Sequence, residues 1–456
     1  MQRVFEEVAS LDARCYEHFF LSEDILMEHA ARGMAEYICN NCKKDAKIII
    51  VCGSGNNGAD GMALGRLLHA AFDVSLLILK KPSSPMALLQ QKRAKSVGVK
   101  EIEKLERCDV LVDAIVGTGF SGTFSAEMQK MIEQMNAQEA FKIACDVPSG
   151  TLFYADVTLT MGALKKRMFL DSAKEFVGEI KVLDLGVSRD IYEKESSWHL
   201  LDLQDLKLPH RTKKDSHKGS YGHLALALGE KSGASIMSAL SALRFGAGLV
   251  TLVGYEALQL PHQLMYSHEV PANATALALG MGLGAEFSQM ELDTFLDNSL
   301  PLIADADILS LPAILDILKR DSVVVTPHAK EFVSLLKVTN IAEITVEELQ
   351  KERFKYAELF CKTYSNVTLL LKGANVIIAQ DEKFYINPHG TPALAKGGSG
   401  DVLSGLIGAL LAQGRTPLEA AINGSLTHAK LAQNYKGADF SLTPDDLIDE
   451  ISKLEK

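Results

Sequence analysis

Short runs of β-branched and other apolar residues alternate with helical patterns along the chain, and this alternation limits the folds that it can adopt. In the first half, the predicted strands are 47–52, 74–80, 109–115, 141–146, 157–160 and 178–185. Helical patterns such as 59–71 and 126–136 separate most of them. Strands connected through helices pair in parallel, with helices on both faces of the sheet. The sequence therefore predicts an α/β fold whose functional loops follow the carboxyl ends of the strands.

A second α/β series follows a charged, irregular stretch from 191 to 214. Its predicted strands are 222–228, 248–254, 276–279, 302–304, 322–325, 367–371 and 376–379, and helices at 400–413 and 417–435 end it. A length of 456 residues is enough for two cores. We predict a first domain at 1–205 and a second domain at 206–456.

Charge and composition narrow the classes of partner. A formal net charge of −11 repels a nucleic-acid backbone. Early charged residues such as Arg3 and Glu6 interrupt any secretory signal, and the most apolar windows are too short to span a bilayer. The seven cysteines are scattered, and the Cys39–Cys42 pair lacks partners for a zinc site. We expect a cytoplasmic protein with reduced thiols that binds small molecules, and neither nucleic acid nor a membrane.

A glycine-rich loop at 53–58 follows the first long strand and matches the GxGxxG pattern of dinucleotide-binding folds. Lys80 and Lys81 lie at the end of the next predicted strand, where they suit a 2′-phosphate, so an NADP-dependent dehydrogenase is one interpretation. A different interpretation is favoured by the paired asparagines Asn56 and Asn57 together with Asp60. Their oxygens suit ribose hydroxyls or a hard cation.

Two further loops place an aspartate where a strand ends. One runs from Asp113 to Gly122 and the other from Asp146 to Gly150. If the three loops converge, Asn57, Asp113 and Ser149 supply oxygens for a monovalent cation, and Asp146 is a catalytic carboxylate. The alternative is that both aspartates only cap helices or fix turns.

Loops reading GNNGxDG, DAxxGTGxxG and DxPSG, in this order, resemble the NAD(P)H-hydrate epimerase family over residues 1–200. The segment 26–31, LMEHAA, is similar to the N-terminal helix of that family. The resemblance implies a Rossmann-like doubly wound domain with potassium held by Asn57, Asp113 and Ser149. It also implies a set of residues that contact the hydrated nucleotide: Asn56, Asn57, Gly58, Ala59, Asp60, Gly117, Thr118, Gly119, Phe120, Ser121, Gly122, Thr123 and Asp146.

The same resemblance implies that Asp146 is catalytic, with Lys165 as its partner. Lys165 lies in a segment similar to the TLTFG-x-x-K strand of the family. Two features depart from the family pattern: the segment 150–155 is short, and Lys166-Arg167 replace Pro-Gly. A solvated lysine within a basic run is the alternative interpretation of Lys165.

A second glycine turn, Gly397-Gly-Ser-Gly-Asp401, precedes an apolar helix. Successive amides at a helix N-terminus stabilise a phosphate. Asp401 would accept a proton from a substrate hydroxyl while the amides stabilise the transferring phosphoryl group. The alternative is that Asp401 only adds a favourable charge at the helix N-terminus.

The G-S-G-D turn resembles that of the ribokinase-like superfamily, and the ordered segments around it narrow the family. The segments SHKGSYG at 216–222, GLG at 282–284, DAD at 305–307 and TPHAKEF at 326–332 are similar to ADP-dependent NAD(P)H-hydrate dehydratases. The resemblance implies a ribokinase-like α/β domain, and magnesium with ADP. It implies that the hydrate is bound by Ala234, Gly284, His328 and Asp401. It implies that the nucleotide is bound by Lys372, Gly373, Ala374, Asn375, Val376 and Gly400.

The two resemblances together predict a bifunctional enzyme that epimerises the R and S hydrates of NADH and NADPH and dehydrates the S form with ADP. One alternative is an NADP-dependent oxidoreductase fused to a small-molecule kinase. A third, non-catalytic interpretation makes the first domain a nucleotide sensor that regulates the second. By analogy with other enzymes, we expect a homo-oligomer.

Overall fold

The computed structural model describes residues 1–120, 122–254, 259–284, 287 and 289–455. The chain forms two compact units. The first unit is Gln2–Ser196, and the second unit is Ser197–Lys456 together with Met1. Both are built from alternating strands and helices, so the predicted α/β class is confirmed.

In the first unit, the strands and helices have the following bounds. The strands are β1 Gln2–Phe5, β2 Lys47–Cys52, β3 Asp73–Ile78, β4 Lys100–Ile102, β5 Val110–Ala114, β6 Phe141–Cys145, β7 Val157–Met161, β8 Leu164–Lys165 and β9 Glu179–Leu183. The helices are α1 Ala9–His18, α2 Glu23–Asn41, α3 Asn56–Leu68, α4 Pro85–Ser96, α5 Ala126–Asn136, α6 Lys174–Val177 and α7 Arg189–Tyr192.

The main sheet of the first unit is parallel and doubly wound. Its strand order is β4-β3-β2-β5-β6-β7-β9, and β1 pairs separately with β8. The order reverses at β2, because the chain goes from β2 outward to β4 and then returns to β5 on the other side. Ligands bind beside such a reversal in open α/β sheets. The strands β2, β5 and β6 are neighbours, so the loops that follow them all start at the same edge of the sheet.

Glycines allow α3 to pack closely against this sheet. A Cβ at Gly61 would lie 2.6 Å from the Cβ of Ala114 and 3.0 Å from the Cys52 sulfur. The strand residues Ile48–Val51 are fully buried. Helices cover both faces of the sheet, as the continuous apolar run of β2 predicts for a parallel strand.

The second unit contains the remaining elements. Its strands are β10 Trp198–Leu200, β11 His223–Ala227, β12 Leu249–Val253, β13 Met265–Ser267, β14 Ala276–Leu279, β15 Leu302–Ala304, β16 Val323–Val325, β17 Val367–Leu371, β18 Val376–Gln380 and β19 Lys383–Asn387. Its helices are α8 Ser232–Arg244, α9 Gln289–Leu296, α10 Ile314–Ile317, α11 Ala329–Val338, α12 Val346–Lys351, α13 Arg353–Thr363, α14 Ser399–Ala412, α15 Pro417–Asn434 and α16 Pro444–Glu450.

The sheet of the second unit is parallel through most of its width. The order β13-β12-β11-β14-β15-β16-β17 is parallel, and β18 and β19 continue it as antiparallel strands. Helix α14 is almost wholly buried and packs against α8 and α15. This buried helix carries the predicted anion turn at its N-terminus, so the turn starts from a fixed support.

The stretch predicted as irregular, 191–214, contains a strand that the sequence analysis missed. Residues Trp198–Leu200 form β10 and pair in parallel with β19. Trp198 is buried, stacks on Phe384 and donates a 2.6 Å hydrogen bond to Glu358. These partners are distant in sequence, so local composition gave no sign of the strand.

Two predictions about composition can be compared with the structure. All seven cysteines are free, as expected for reduced thiols. Among the described residues, no helix is long and apolar enough to cross a membrane.

We predict that Gly53→Ala destabilises the first unit. A Cβ at Gly53 would overlap the carbonyl oxygen of Ile115, and both atoms belong to backbone that cannot move independently. Overpacking of this kind costs about 2–3 kcal/mol, which lowers the melting temperature by roughly 5–10 °C in calorimetry. Gly55→Ala is the matched control, since a Cβ there meets nothing within 4 Å. Equal melting temperatures for the two variants would contradict the prediction.

Candidate active sites

A cavity of about 750 Å³ opens at the carboxyl edge of the first unit's sheet. The loops after β2 and β5 form much of its wall, with α1 and α2. Nine of the predicted substrate-binding residues line it: Asn56, Asn57, Asp60, Gly117, Thr118, Gly119, Phe120, Thr123 and Asp146. The three motif loops therefore do converge on one site.

Other predicted residues lie outside the lining of this cavity. Gly58 and Ala59 are buried within α3, and Gly122 is exposed. A Cβ at Gly58 would overlap the carbonyl oxygen of Gly53, so this glycine shapes the turn. Ser121 lies outside the described residues.

Lys165 is buried directly behind Asp146. Its ammonium group lies 2.6 Å from the Asp146 carboxylate and also donates to the Thr160 hydroxyl at 2.7 Å and the Met161 carbonyl at 3.0 Å. The Lys165 side chain is 1% exposed, which excludes the solvated alternative. A buried ion pair needs such additional hydrogen bonds to offset its desolvation.

The backbone at Asp146 is held in an unusual conformation. Its φ is +70°, in the left-handed region that few residues other than glycine adopt. One carboxylate oxygen also accepts from the Met161 amide at 3.2 Å. Residues in such conformations cluster at functional sites, where surrounding contacts hold them. Asp146 is therefore fixed in place while it remains on the wall of the cavity.

Asp113 and Ser149 are bonded to each other. The fully buried Asp113 carboxylate accepts from the Ser149 hydroxyl at 2.7 Å, from its amide at 2.8 Å and from the Ile115 amide at 3.1 Å. Burial raises the pKa of Asp113 to about 6, although these hydrogen bonds oppose the rise. Burial and hydrogen bonds with Ser149 and Ile115 account for the shift in pKa, with no contribution from a charged side chain. Among the described residues, Asp113 is therefore a buried acid without a counter-charge.

Asn57, the third predicted cation ligand, has a buried side-chain nitrogen that forms no hydrogen bond with any described residue. Gly117 allows the β5 loop to approach it, since a Cβ there would lie 3.5 Å from the Asn57 amide oxygen and 3.4 Å from an Asp146 oxygen. Asn57 and Asp146 thus face the same glycine. An unpartnered buried amide is an expected feature of a site that takes a ligand.

The sequence analysis missed several polar residues of the cavity, among them Asp12, Glu23 and Tyr192. The sequence analysis assigned Asp60 to binding of the substrate or of a cation, and its burial was not predicted. Burial, followed by the charges of Asp146 and Asp12, raises its pKa well above the ordinary value. Asp12 and Tyr192 lie outside the glycine motifs, so motif patterns did not reveal them.

In the second unit, the anion turn leads into α14 through Gly398, whose φ of +87° requires glycine. Asp401 lies in the first turn of the helix. Burial raises the pKa of Asp401 to about 6, with a further contribution from the charge of Asp305 and an opposing one from Lys372. A carboxyl with this pKa is ionised at neutral pH and is still a useful base.

Lys372 brings a positive charge to the turn. Its ammonium group would lie 3.7 Å from a Cβ placed on Gly400. It donates to Asp305 at 2.7 Å, and Asp305 in turn accepts from Ser404 of α14 at 2.6 Å. Burial lowers the pKa of Lys372, but the charges of Asp305 and Glu331 outweigh it and the pKa is raised. The structure thus joins two predicted nucleotide-binding residues, Lys372 and Gly400.

His328 caps α11, and the ring accepts from the amides of Lys330 and Glu331 at 3.1 and 3.2 Å. The side chain is half exposed. Glu331 connects this cap to the turn, since its carboxylate lies 3.9 Å from the Lys372 ammonium. His328 therefore combines local capping with a place beside the candidate site.

The other predicted residues of the second unit lie in loops or in the first residues of the elements that follow them. The Gly284 amide donates to Asp307 at 2.9 Å, and Ala234 lies in α8 against Gly282. In the turn after β17, Gly373 and Ala374 are exposed and Asn375 is buried, while Val376 begins β18.

A buried histidine that the sequence analysis did not identify holds the middle of the anion turn. The His428 ring of α15 lies 3.0 Å from the Ser399 hydroxyl. Burial lowers the pKa of His428 to about 4, so the ring is neutral at physiological pH. Its contact fixes Ser399 without adding charge to the turn.

Comparison with known proteins agrees with this two-site organisation. Residues 224–453 match the NAD(P)H-hydrate dehydratase family, and residues 23–167 match the family of YjeF-related protein N-termini. The bifunctional NAD(P)H-hydrate repair enzyme of Helicobacter pylori is 43% identical, over all of both chains. That of Escherichia coli is 31% identical, over 87% of this chain and 82% of its own.

Among solved structures, the ADP/ATP-dependent NAD(P)H-hydrate dehydratase of Bacillus subtilis, co-crystallised with ATP and Mg²⁺, is 28% identical. It covers 55% of this chain and 94% of its own, with a TM-score of 0.47. The full-length identity to the Helicobacter pylori protein decides the family. The chain belongs to the bifunctional NAD(P)H-hydrate repair enzymes.

Proposed function

We propose that the chain epimerises hydrated NADH and NADPH within residues 1–205 and dehydrates the S hydrate within residues 206–456. The observation that carries this proposal is a carboxylate in the candidate site of each unit: Asp146, which follows β6 and pairs with Lys165, and Asp401, which lies in the first turn of α14 after the glycine turn. Epimerisation supplies the isomer that the second reaction consumes. Family membership supports the pairing of the two activities.

In the first unit, the hydrate would occupy the 750 Å³ cavity. Its reacting hydroxyl is on the ring carbon bonded to the ring nitrogen. Asp146 would exchange a proton at this hydroxyl, which is general acid–base catalysis by a carboxylate. Lys165 holds that carboxylate in place through the 2.6 Å ion pair. The loop residues 117–120 would contact the nucleotide.

The residues proposed for potassium fit such an ion. Within the part of the chain that the structure describes, Asp113 is a buried carboxylate without a counter-charge, and the Asn57 amide nitrogen has no hydrogen-bond partner. Rotating the Asn57 side-chain amide so that its oxygen and nitrogen exchange places would put the oxygen where the unpartnered nitrogen now lies. A bound potassium ion would supply the positive charge that favours ionised Asp113. Together with Ser149, these residues would then hold the loops after β2, β5 and β6 in register.

In the second unit, Asp401 would accept the proton of the substrate hydroxyl. The hydroxyl oxygen would at the same time attack the terminal phosphorus of ADP. The bond between this phosphorus and the oxygen that bridges the two phosphates of ADP would break, and AMP would leave. The new phosphate ester then loses phosphate as the neighbouring ring carbon loses a proton, which restores the reduced nicotinamide. The turn amides and Lys372 would stabilise the phosphoryl charge. Ala234, Gly284 and His328 would bind the hydrate, and Lys372–Val376 with Gly400 would bind ADP.

Magnesium would accompany the nucleotide and neutralise its phosphate charge. Among the described residues, no group of three or more histidine, cysteine or acidic side chains is arranged to hold a metal. Magnesium typically takes most of its ligands from phosphates and water. We further propose a homo-oligomer that acts in the cytoplasm on small molecules.

The first test of the proposal separates the two activities by substitution. We expect Asp401→Asn to lower dehydration by about 10²–10⁴-fold and Asp146→Asn to lower epimerisation by a similar factor, because each removes a proton acceptor. Dehydration is followed by the absorbance of NADH after mixed epimers, ADP and magnesium are added. Epimerisation is followed by chromatography without ADP.

Each variant serves as the control for the other. Asp401→Asn should still interconvert the epimers, and Asp146→Asn should still convert the S form. If the wild-type protein regenerates no NADH or NADPH, the proposed function is wrong. If either substitution abolishes both activities, the proposed division of residues is wrong.

The second test is the pH dependence of dehydration. Because burial raises the pKa of Asp401 to about 6, the carboxylate needed as a base is lost as the pH falls through that value. We expect kcat measured at saturating substrates to fall about tenfold per pH unit well below pH 6 and to level off above pH 7.

Lys372→Met should move this acidic limb to higher pH, because the positive charge of Lys372 lowers the pKa of Asp401. Lys319→Met is the matched control, since Lys319 is exposed and pairs only with Asp316 of its own surface turn. A limb that stays at the same pH in Lys372→Met would exclude Asp401 as the titrating group.

A further inference from the structure

The cavity of the first unit contains a second carboxylate that no motif accounts for. Asp12 of α1 lines the same cavity as Asp146 of the β6 loop. Its carboxylate accepts a 2.7 Å hydrogen bond from the hydroxyl of Tyr192 in α7. The two carboxylates therefore reach the cavity from separate elements and have different partners, Tyr192 for Asp12 and Lys165 for Asp146.

The Asp12–Tyr192 pair is built into the fold. Tyr192 is 1% exposed, and its ring lies against Gly162, whose φ is +72°. A Cβ at Gly162 would lie 2.5 Å from two ring carbons of Tyr192. A side chain there would displace the ring, so the glycine admits the tyrosine that holds Asp12.

Exchange of a hydroxyl between the two faces of a ring carbon requires two proton transfers. The departing oxygen must gain a proton, and the arriving water must lose one. Asp146 is held in one place by its hydrogen bonds, so it can take part in only one of these two proton transfers. A second group that carries a proton within the same cavity completes the reaction in either direction.

We propose that Asp12 is the second catalytic residue of epimerisation, with Tyr192 as its positioning residue. This inference rests on the function proposed above. Asp12 donates its proton to the ring hydroxyl as the C–O bond breaks, and the oxygen leaves as water with the bonding electron pair. The lone pair of the ring nitrogen forms a C=N bond in its place.

Water then attacks the opposite face of the ring carbon. Its oxygen forms the new C–O bond, the nitrogen recovers its electron pair, and the proton of the water passes to Asp146. In the reverse direction the two carboxylates exchange roles. The balance is one proton gained by Asp146 and one lost by Asp12, which exchange with solvent restores, and no oxidant or reductant is needed.

The charge of the cavity suits this route. The intermediate is a cation, and the carboxylates of Glu23 and Asp146 line the same cavity as Asp12. Nearby negative charges stabilise a cation that forms in a site with limited water. Burial also raises the pKa of Asp12, which increases the fraction that carries a proton.

The test measures epimerisation by the full-length protein without ADP, with R and S hydrates separated by chromatography. We expect Asp12→Asn to lower kcat at least about 100-fold, the effect of losing a general acid. Tyr192→Phe should lower kcat about tenfold and leave KM within about twofold, because it disturbs a proton donor rather than a binding contact. Dehydration of the S hydrate after ADP is added should be unchanged in both variants.

Matched controls come from the same unit. Asp109→Asn removes an exposed carboxylate that accepts from the Lys47 amide, and Tyr37→Phe removes the hydroxyl of a partly buried α2 tyrosine that packs against the core and does not line the cavity. Both should stay within about twofold of wild type, as is usual for substitutions away from a site.

Chemical rescue separates catalysis from a structural role. Formate should restore at least about a tenth of the lost rate in Asp12→Ala, since it replaces the missing carboxylic acid. The proposal is overturned if Asp12→Asn keeps more than a third of wild-type kcat, or if activity is lost and formate restores none of it. A wild-type protein that does not epimerise would instead overturn the proposed function itself.

Discussion

The parallel pairing of β2, β5 and β6 is the constraint on which the first site depends. Neighbouring parallel strands end at the same edge, so polar residues that follow each strand are brought together without long connections. The hydrogen bonds between Ser149 and Asp113 join two of these strand ends directly. Close backbone approach at Gly53 and Gly58 allows the third loop to reach the same place.

Placing acids at a sheet edge creates an electrostatic cost, and each site contains a lysine that offsets part of it. Lys165 bonds directly to Asp146, and Lys372 bonds directly to Asp305. Both ammonium groups are held by further interactions, so neither charge is left in an apolar surrounding. Asp113 lacks such a partner among the described residues, and the proposed potassium site rests on this observation.

Sequence patterns predicted thirteen of the nineteen strands among the described residues, because most strands of the two sheets are short apolar runs, and they missed β1, β4, β8, β10, β13 and β19. The bounds of β2, β14, β15 and β17 agree with the predictions residue for residue. The strand β10 was missed, since its stability comes from Phe354 and Phe384, far away in the chain. A window of local sequence contains none of that information.

Loop motifs likewise predicted which segments form the sites, but they did not predict all the partners. Nine of the predicted substrate-binding residues line one cavity because the motifs follow adjacent strands. The partnership of Asp12 with Tyr192 joins residues 180 positions apart, and neither lies in a glycine motif. Such pairings depend on how helices pack over the sheet, which periodicity alone does not specify.

Asp146 and Asp401, the carboxylates proposed to act as bases in the two units, differ in how the nearby lysine is used, and this difference suits different chemistry. Asp146 bonds the ammonium group itself, so its position is fixed, which suits the proton exchange proposed for it. In the second unit, Lys372 is instead bonded to Asp305. The charge of Lys372 therefore only partly opposes the rise in the pKa of Asp401 caused by burial, and this pKa is about 6. A base of that strength can take a hydroxyl proton at neutral pH, while the ammonium group remains available to the phosphate charge.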